Sequence, residues 1–182
     1  MTTLARVAST RRLTAVGVVG FAAAVAAASQ IAIPLPFTPV PFTLQPMLVI
    51  LAGMMLGPVA AAASMTLYLA AGAIGLPVFT PLGLPGAARF FGPTGGYLLA
   101  YPVAAYVAGA LARRATTFNR RWLAGVAGIA VIYIGGVAQL AVLQGDLVSA
   151  AQLGITPFAA LDIVKAWVAA AIASPRVGRR AA

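Results

Sequence analysis

The chain has no cysteine and no histidine among its 182 residues, and its only acidic residues are Asp146 and Asp162. Without Cys and His there is no thiol nucleophile, no disulfide framework and no His/Cys metal site. A Ser-His-Asp triad and a His-based zinc-protease motif are excluded for the same reason. Two carboxylates cannot build an all-protein cage for a hard cation. No Gly-Lys-Ser/Thr triplet occurs, so no P-loop is available to cradle ATP phosphates. Neither a metal, a cofactor nor a catalytic residue is therefore expected, and the chain does not read as an enzyme.

Charge is scarce as well. Only 8% of residues are charged while 62% are hydrophobic. A soluble domain carries roughly a quarter charged residues, so the solvent for most of this chain must be lipid. The net charge of +10 could suggest nucleic acid, but its distribution argues against that. Arg6, Arg11 and Arg12 form one cluster; Arg113, Arg114, Arg120 and Arg121 a second; Arg176, Arg179 and Arg180 a third. All three flank apolar stretches, as the positive-inside rule requires of cytoplasmic loops. The basic N-terminus followed by Ala26-Ala27-Ala28 also fits a cleaved signal peptide. Cleavage would leave an odd number of spans and place the basic clusters on conflicting sides, so a retained helix is the simpler reading.

Six apolar segments meet the length needed to cross a bilayer: 13–33, 44–57, 58–76, 95–112, 122–143 and 157–174. They form one membrane domain, and no internal repeat is visible. The segment Ile33-Pro34-Leu35-Pro36-Phe37-Thr38-Pro39-Val40-Pro41 cannot be helical, because Pro lacks the N–H donor, and reads as a loop. A break falls at Gly57-Pro58 and a long Gly/Pro-rich loop at 77–93. Thr156-Pro157 suits the N-cap and first position of the last helix. The expected fold is an all-α integral membrane bundle of six transmembrane helices with N- and C-termini in the cytoplasm. Two basic residues break the charge pattern: Arg89 lies in an outer loop and Lys165 inside a span.

Asp162 and Lys165, three apart, share a helical face. They are the only formal charges within the expected spans, and an unpaired charge there costs at least about 2.5 kcal/mol. A polar ligand site is the functional reading; a self-satisfied ion pair is the bland one. Arg89 could capture an anionic ligand group or could be a solvated loop arginine. Thr43 and Gln45, entering the second span, could hydrogen-bond a ligand; Gln45 could equally cap the helix or hydrogen-bond another loop. In Gly92-Pro93-Thr94-Gly95-Gly96-Tyr97 the glycines around Thr94 and Gly95 allow close backbone approach and free N–H groups at a helix start. Phe79, Tyr97, Tyr101 and Trp167 could line a pocket, or pack as belt aromatics. In the first span Ala23 and Ala27 stand four apart, as do Ala22/Ala26 and Ala24/Ala28. Such pairs let a second helix approach closely, either a partner's or one of the same bundle.

Several runs together resemble the BioY family, the biotin-binding S components of energy-coupling-factor (ECF) transporters. They are Ser29-Gln30-Ile31, Pro39-Val40-Pro41-Phe42-Thr43-Leu44-Gln45, Gly75-Leu76-Pro77-Val78-Phe79, Gly92-Pro93-Thr94-Gly95-Gly96-Tyr97-Leu98 and Asp162-Ile163-Val164-Lys165. The resemblance covers nearly the whole chain, in order. It implies the six-helix S-component bundle, a bacterial cytoplasmic-membrane location, and biotin taken from outside. It places Asp162 and Lys165 in the biotin pocket. It also implies a transmembrane T subunit and ATPase subunits as partners, with the first-helix alanines Ala23 and Ala27 facing them, although some members of the family act without that module. A homo-oligomer, another vitamin, and a proton-coupled carrier remain open alternatives.

Overall fold

The computed structural model describes residues 3–174, with side chains from Arg12 onward; the side chains of Arg6 and Arg11 and the basic cluster at 176–180 lie outside those limits. Among the described residues seven α-helices follow one another: α1 (Thr3–Gln30), α2 (Gln45–Leu56), α3 (Pro58–Ala73), α4 (Gly95–Arg113), α5 (Phe118–Gln144), α6 (Leu147–Gly154) and α7 (Ala159–Ala173). By length and composition α1 (from Arg12), α4 and α5 are each apolar enough to cross a membrane, and α6 with α7, bent by 51°, would make a fourth span. α2 and α3 are apolar but shorter. The molecule is therefore a helical membrane protein.

The breaks between helices follow from local chemistry. Gly57 sits at φ 81°, a conformation that favours glycine, and Pro58 then opens α3. Thr117 accepts from the backbone N–H of Arg120 and caps α5, which ends at Gly145 with φ 75°. Asp146 caps α6 by accepting from the N–H groups of Val148 and Ser149. Hydrogen bonds from Ser149, with its side chain the larger contribution, hold the Asp146 carboxyl below the usual carboxylate range.

Two expectations need correction. The proline-rich segment is not a loop but a two-stranded antiparallel ribbon, β1 (Ile33–Leu35) and β2 (Thr38–Phe42), with Ile33 opposite Phe42 and Leu35 opposite Thr38. A two-stranded ribbon leaves one edge of each strand unpaired, so prolines are accommodated there without losing a ladder bond. The last helix starts at Ala159 with Phe158 as its N-cap, which makes no side-chain cap. Thr156 and Pro157 instead lie in the turn between α6 and α7.

α4 is the hub, packing against α2, α3 and α5, while α7 lies against α2 and α5. In lipid, helix contact relies on close van der Waals packing rather than on expulsion of water. Small residues provide it. A Cβ on Gly109 would lie 2.7 Å from the Gly53 carbonyl oxygen, and one on Gly135 2.6 Å from that of Gly96. The ribbon, the 77–93 loop with its 3-10 segment Gly86–Phe91, and the α6–α7 turn all gather at one end of the bundle. Arg113, Arg114, Arg120 and Arg121 mark the other.

Candidate ligand-binding site

At the ribbon end the helices enclose a cavity of about 620 Å³, counting its open mouth. α7 brings Asp162 and Lys165 to it one turn apart, both buried (3% and 7% exposed). Their ion pair closes at 2.7 Å, from Lys165 Nζ to Asp162 Oδ1. Lys165 also donates to the Thr43 carbonyl at 2.7 Å and stands 3.9 Å from the centre of the Phe42 ring. Asp162 Oδ2 accepts from the Tyr133 hydroxyl at 2.6 Å. The buried pair is thus hydrogen-bonded as well as paired, which buried charges require.

Across the cavity Gln45 donates to the Tyr68 hydroxyl at 2.8 Å, while the Thr43 hydroxyl stands 3.4 Å from Gln45 Oε1. Aromatic rings make up much of the wall. Tyr68 stacks at 25° on Tyr101 and meets the edge of Phe79. The Phe79 ring lies directly on Gly72, where any Cβ would collide with it. Tyr97 passes against Gly136 in the same way and donates to the Gly154 carbonyl at 3.0 Å.

Arg89 and Thr94 stand at the mouth, bordering both this cavity and an outer chamber walled by Pro34, Leu35, Leu82 and Leu84. Arg89 is 5% exposed. Its guanidinium donates to the Thr80 hydroxyl at 3.1 Å, the Thr80 carbonyl at 2.5 Å and the Leu82 carbonyl. Its Nε is buried with no hydrogen-bond partner among the described residues. Burial lowers its pKa below the usual arginine value. This is not a freely solvated loop arginine.

Thr43, Gln45, Phe79, Arg89, Thr94, Tyr97, Asp162 and Lys165 therefore line one cavity, together with Tyr101. Gly95 stands behind it, where a Cβ would strike the Phe90 carbonyl and lie 2.8 Å from Gln139 Nε2. Trp167 is half-exposed and packs edge-on against Phe118, away from the cavity. Ala23 and Ala27 are exposed along α1. Sequence reasoning missed Tyr68, Thr80, Ile132, Tyr133 and Phe158. Tyr133 offered a faint signal, a phenol amid the apolar run Ile132-Tyr133-Ile134, but tyrosines in membrane helices are common enough to carry little weight alone.

A helical membrane bundle with a polar, aromatic-walled cavity at one end is a membrane-embedded substrate-binding protein. The chain belongs to the BioY family, which it matches over residues 1–181. It is 40% identical to the biotin transporter BioY of Thermotoga maritima over 78% of this chain and 83% of that protein. With the biotin transporter BioY of Rhodobacter capsulatus it shares 37% identity over 91% of this chain and 83% of that protein. A crystal structure of the S-component for biotin from an ECF-type ABC transporter superposes with a TM-score of 0.84 at 26% identity, covering 95% of this chain and 92% of that one.

Proposed function

We propose that this chain binds biotin and takes it up as the S component of an ECF transporter; it is a transport protein and not an enzyme. The observation that carries the reading is the buried Asp162–Lys165 pair set in an aromatic cavity with Arg89 at its mouth. Biotin has three recognisable parts. The ureido group presents two N–H donors and one carbonyl acceptor. Asp162 can accept from the former and Lys165 can donate to the latter. The bicyclic ring and thioether suit walls such as Tyr68, Phe79 and Tyr101. The valerate carboxylate needs a cation or backbone N–H groups, which Arg89 and the turn at Thr94 can supply. Ligand binding at Asp162 and Lys165 exchanges one set of hydrogen bonds for another, so the charges are never left unpaired.

The topology that fits is a multi-pass protein of the bacterial cytoplasmic membrane. The Arg113–Arg121 region lies inside and the ribbon end outside, which agrees with the charge rule. α1, α2, α3, α4, α5 and α7 then serve as six spans, the short α2 and α3 included. The T subunit and ATPase subunits dock on α1, where Gly20, Ala23 and Ala27 present an exposed strip of small residues.

The test is biotin binding to the purified protein in detergent, by calorimetry or Trp fluorescence, with Asp162→Asn alongside. Tight binding lost in the variant is the expected result. A folded wild-type protein that ignores biotin, or an Asp162→Asn protein that binds it equally well, overturns the reading.

A further inference from the structure

Ser29 and Gln30 end α1 and do not line the cavity, yet both reach across to the segment that walls it. Ser29 is fully buried. Its hydroxyl stands 2.7 Å from the Val78 carbonyl and 2.7 Å from the Ala26 carbonyl, and accepts from Gln30 Nε2 at 2.8 Å. Gln30 Nε2 also lies 3.1 Å from the Phe79 carbonyl and 3.3 Å from those of Pro77 and Ala26. The Ser29 hydroxyl has one proton and the Gln30 amide two, so about three donor protons serve five acceptors.

Apart from these contacts, the Val78 N–H donates to the Leu76 carbonyl and Arg89 donates to the Thr80 carbonyl. Among the described residues, the carbonyls of Pro77, Val78 and Phe79 receive no backbone N–H. Their partners are Ser29 and Gln30. Phe79 is the first residue of this segment to enter the cavity, and Thr80 beside it holds Arg89. Movement of 77–80 away from α1 would withdraw the Phe79 ring from Gly72 and carry the Arg89 anchor with it, opening the side of the cavity.

We infer that Ser29 and Gln30 are positioning residues that latch Phe79 in place as the movable wall of the ligand cavity, so that the end of α1 sets how fast ligand enters and leaves. The latch holds the wall against α1, and ligand passes that wall both on entering and on leaving. It therefore gates both directions, and weakening it raises association and dissociation rates together. A residue that merely supported the bound state would raise dissociation alone.

Two measurements test this. The first is the kinetics of biotin binding to wild type and Gln30→Ala; it rests on the proposed biotin reading. Losing the amide removes about two hydrogen bonds from the closed state, so both rates should rise about tenfold while Kd moves less than about threefold. The second needs no ligand. Because the chain has no cysteine, a single Leu98→Cys places one thiol on the cavity wall, where Leu98 is 6% exposed. Its labelling by a water-soluble maleimide should quicken about tenfold when Gln30→Ala is added. Unchanged labelling, or a faster dissociation with association unchanged, overturns the latch. If wild type binds no biotin, the biotin reading falls and the labelling rate alone decides the latch.

Discussion

The two ends of the bundle differ in where they keep their buried polar groups. Towards the arginine end, glycines let the helices close on one another. Gly53 lies against Gly109, Gly125 meets Met54 and Ala166, and Gly57 lies beneath the Arg113 guanidinium. At the ribbon end the helices part around a cavity. Apart from Ser64, every buried polar or charged side chain among the described residues is there or in the loops covering it: Ser29, Thr43, Gln45, Arg89, Asp162 and Lys165. Helix α1 shows a related contrast with α4: 17% of its apolar stretch is buried against 50%. Close contact of small residues leaves no room for added volume, and it recurs at the ribbon end where Gly96 meets Gly135. Specificity needs the reverse, polar groups whose partners can be exchanged for those of a ligand. The protein gathers its exchangeable polar groups at one end of the bundle.

The sharpest test of that separation is to break the polar end. Asp162→Ala leaves Lys165 buried with only the Thr43 carbonyl and the Phe42 ring, and losing half of such a pair costs about 3–5 kcal/mol. Biotin affinity measured by calorimetry should fall at least about a hundredfold. Gly109→Val attacks the other end. The new side chain meets the Gly53 carbonyl and Pro58, and overpacking of this kind costs about 1–3 kcal/mol. Its melting temperature in detergent should drop while the folded fraction keeps wild-type affinity. A Gly109→Val protein of normal stability and poor affinity would mean that the two ends are not independent.

Much of this division was legible in the sequence. Scarce charge and long apolar runs specify membrane helices, and two charges inside a span mark the site because the bilayer makes them costly anywhere else. Arg89 stood out as a basic residue on the wrong side. What stayed hidden has a common physical cause. Tyr133 and Tyr68 matter through one hydroxyl each, and their rings look like ordinary apolar residues in a helix. For Gly95 the sequence suggested close backbone approach without naming the partner, which is the Phe90 carbonyl. The proline-rich run excluded a helix without revealing that its strands pair. Thr156-Pro157 had the chemistry of a helix start, while the chain makes one more turn before α7 begins.

Smaller changes at the polar end refine its internal geometry. Arg89→Ala should weaken biotin binding about tenfold or more, as expected when a hydrogen bond to a charged group is lost. The same substitution should hardly affect binding of biotin amide, which has no carboxylate. Equal losses for both ligands would remove Arg89 from the carboxylate and assign it to loop structure. Tyr133→Phe deletes only the hydroxyl that donates to Asp162 Oδ2. Affinity should fall about five- to tenfold, with no change in melting temperature, because Lys165 still neutralises the carboxylate.

The smallest effect is expected at the cap of α6, which joins the cavity to its surroundings. The last turn of α6 supplies the Leu153 carbonyl to Thr38 and the Gly154 carbonyl to Tyr97, so its stability bears weakly on the site. Asp146 caps this helix, and its pKa in the folded protein is lowered. A lowered carboxyl pKa stabilises the fold above the unfolded value, about 3.9 for aspartate, and that contribution disappears as pH falls through the folded value. Asp146→Ala should therefore melt slightly below wild type at pH 7, and the gap should close under strongly acidic conditions. Biotin affinity at pH 7 should change little. A gap that persists unchanged in acid would show that the cap works through helix geometry alone, without the carboxylate charge.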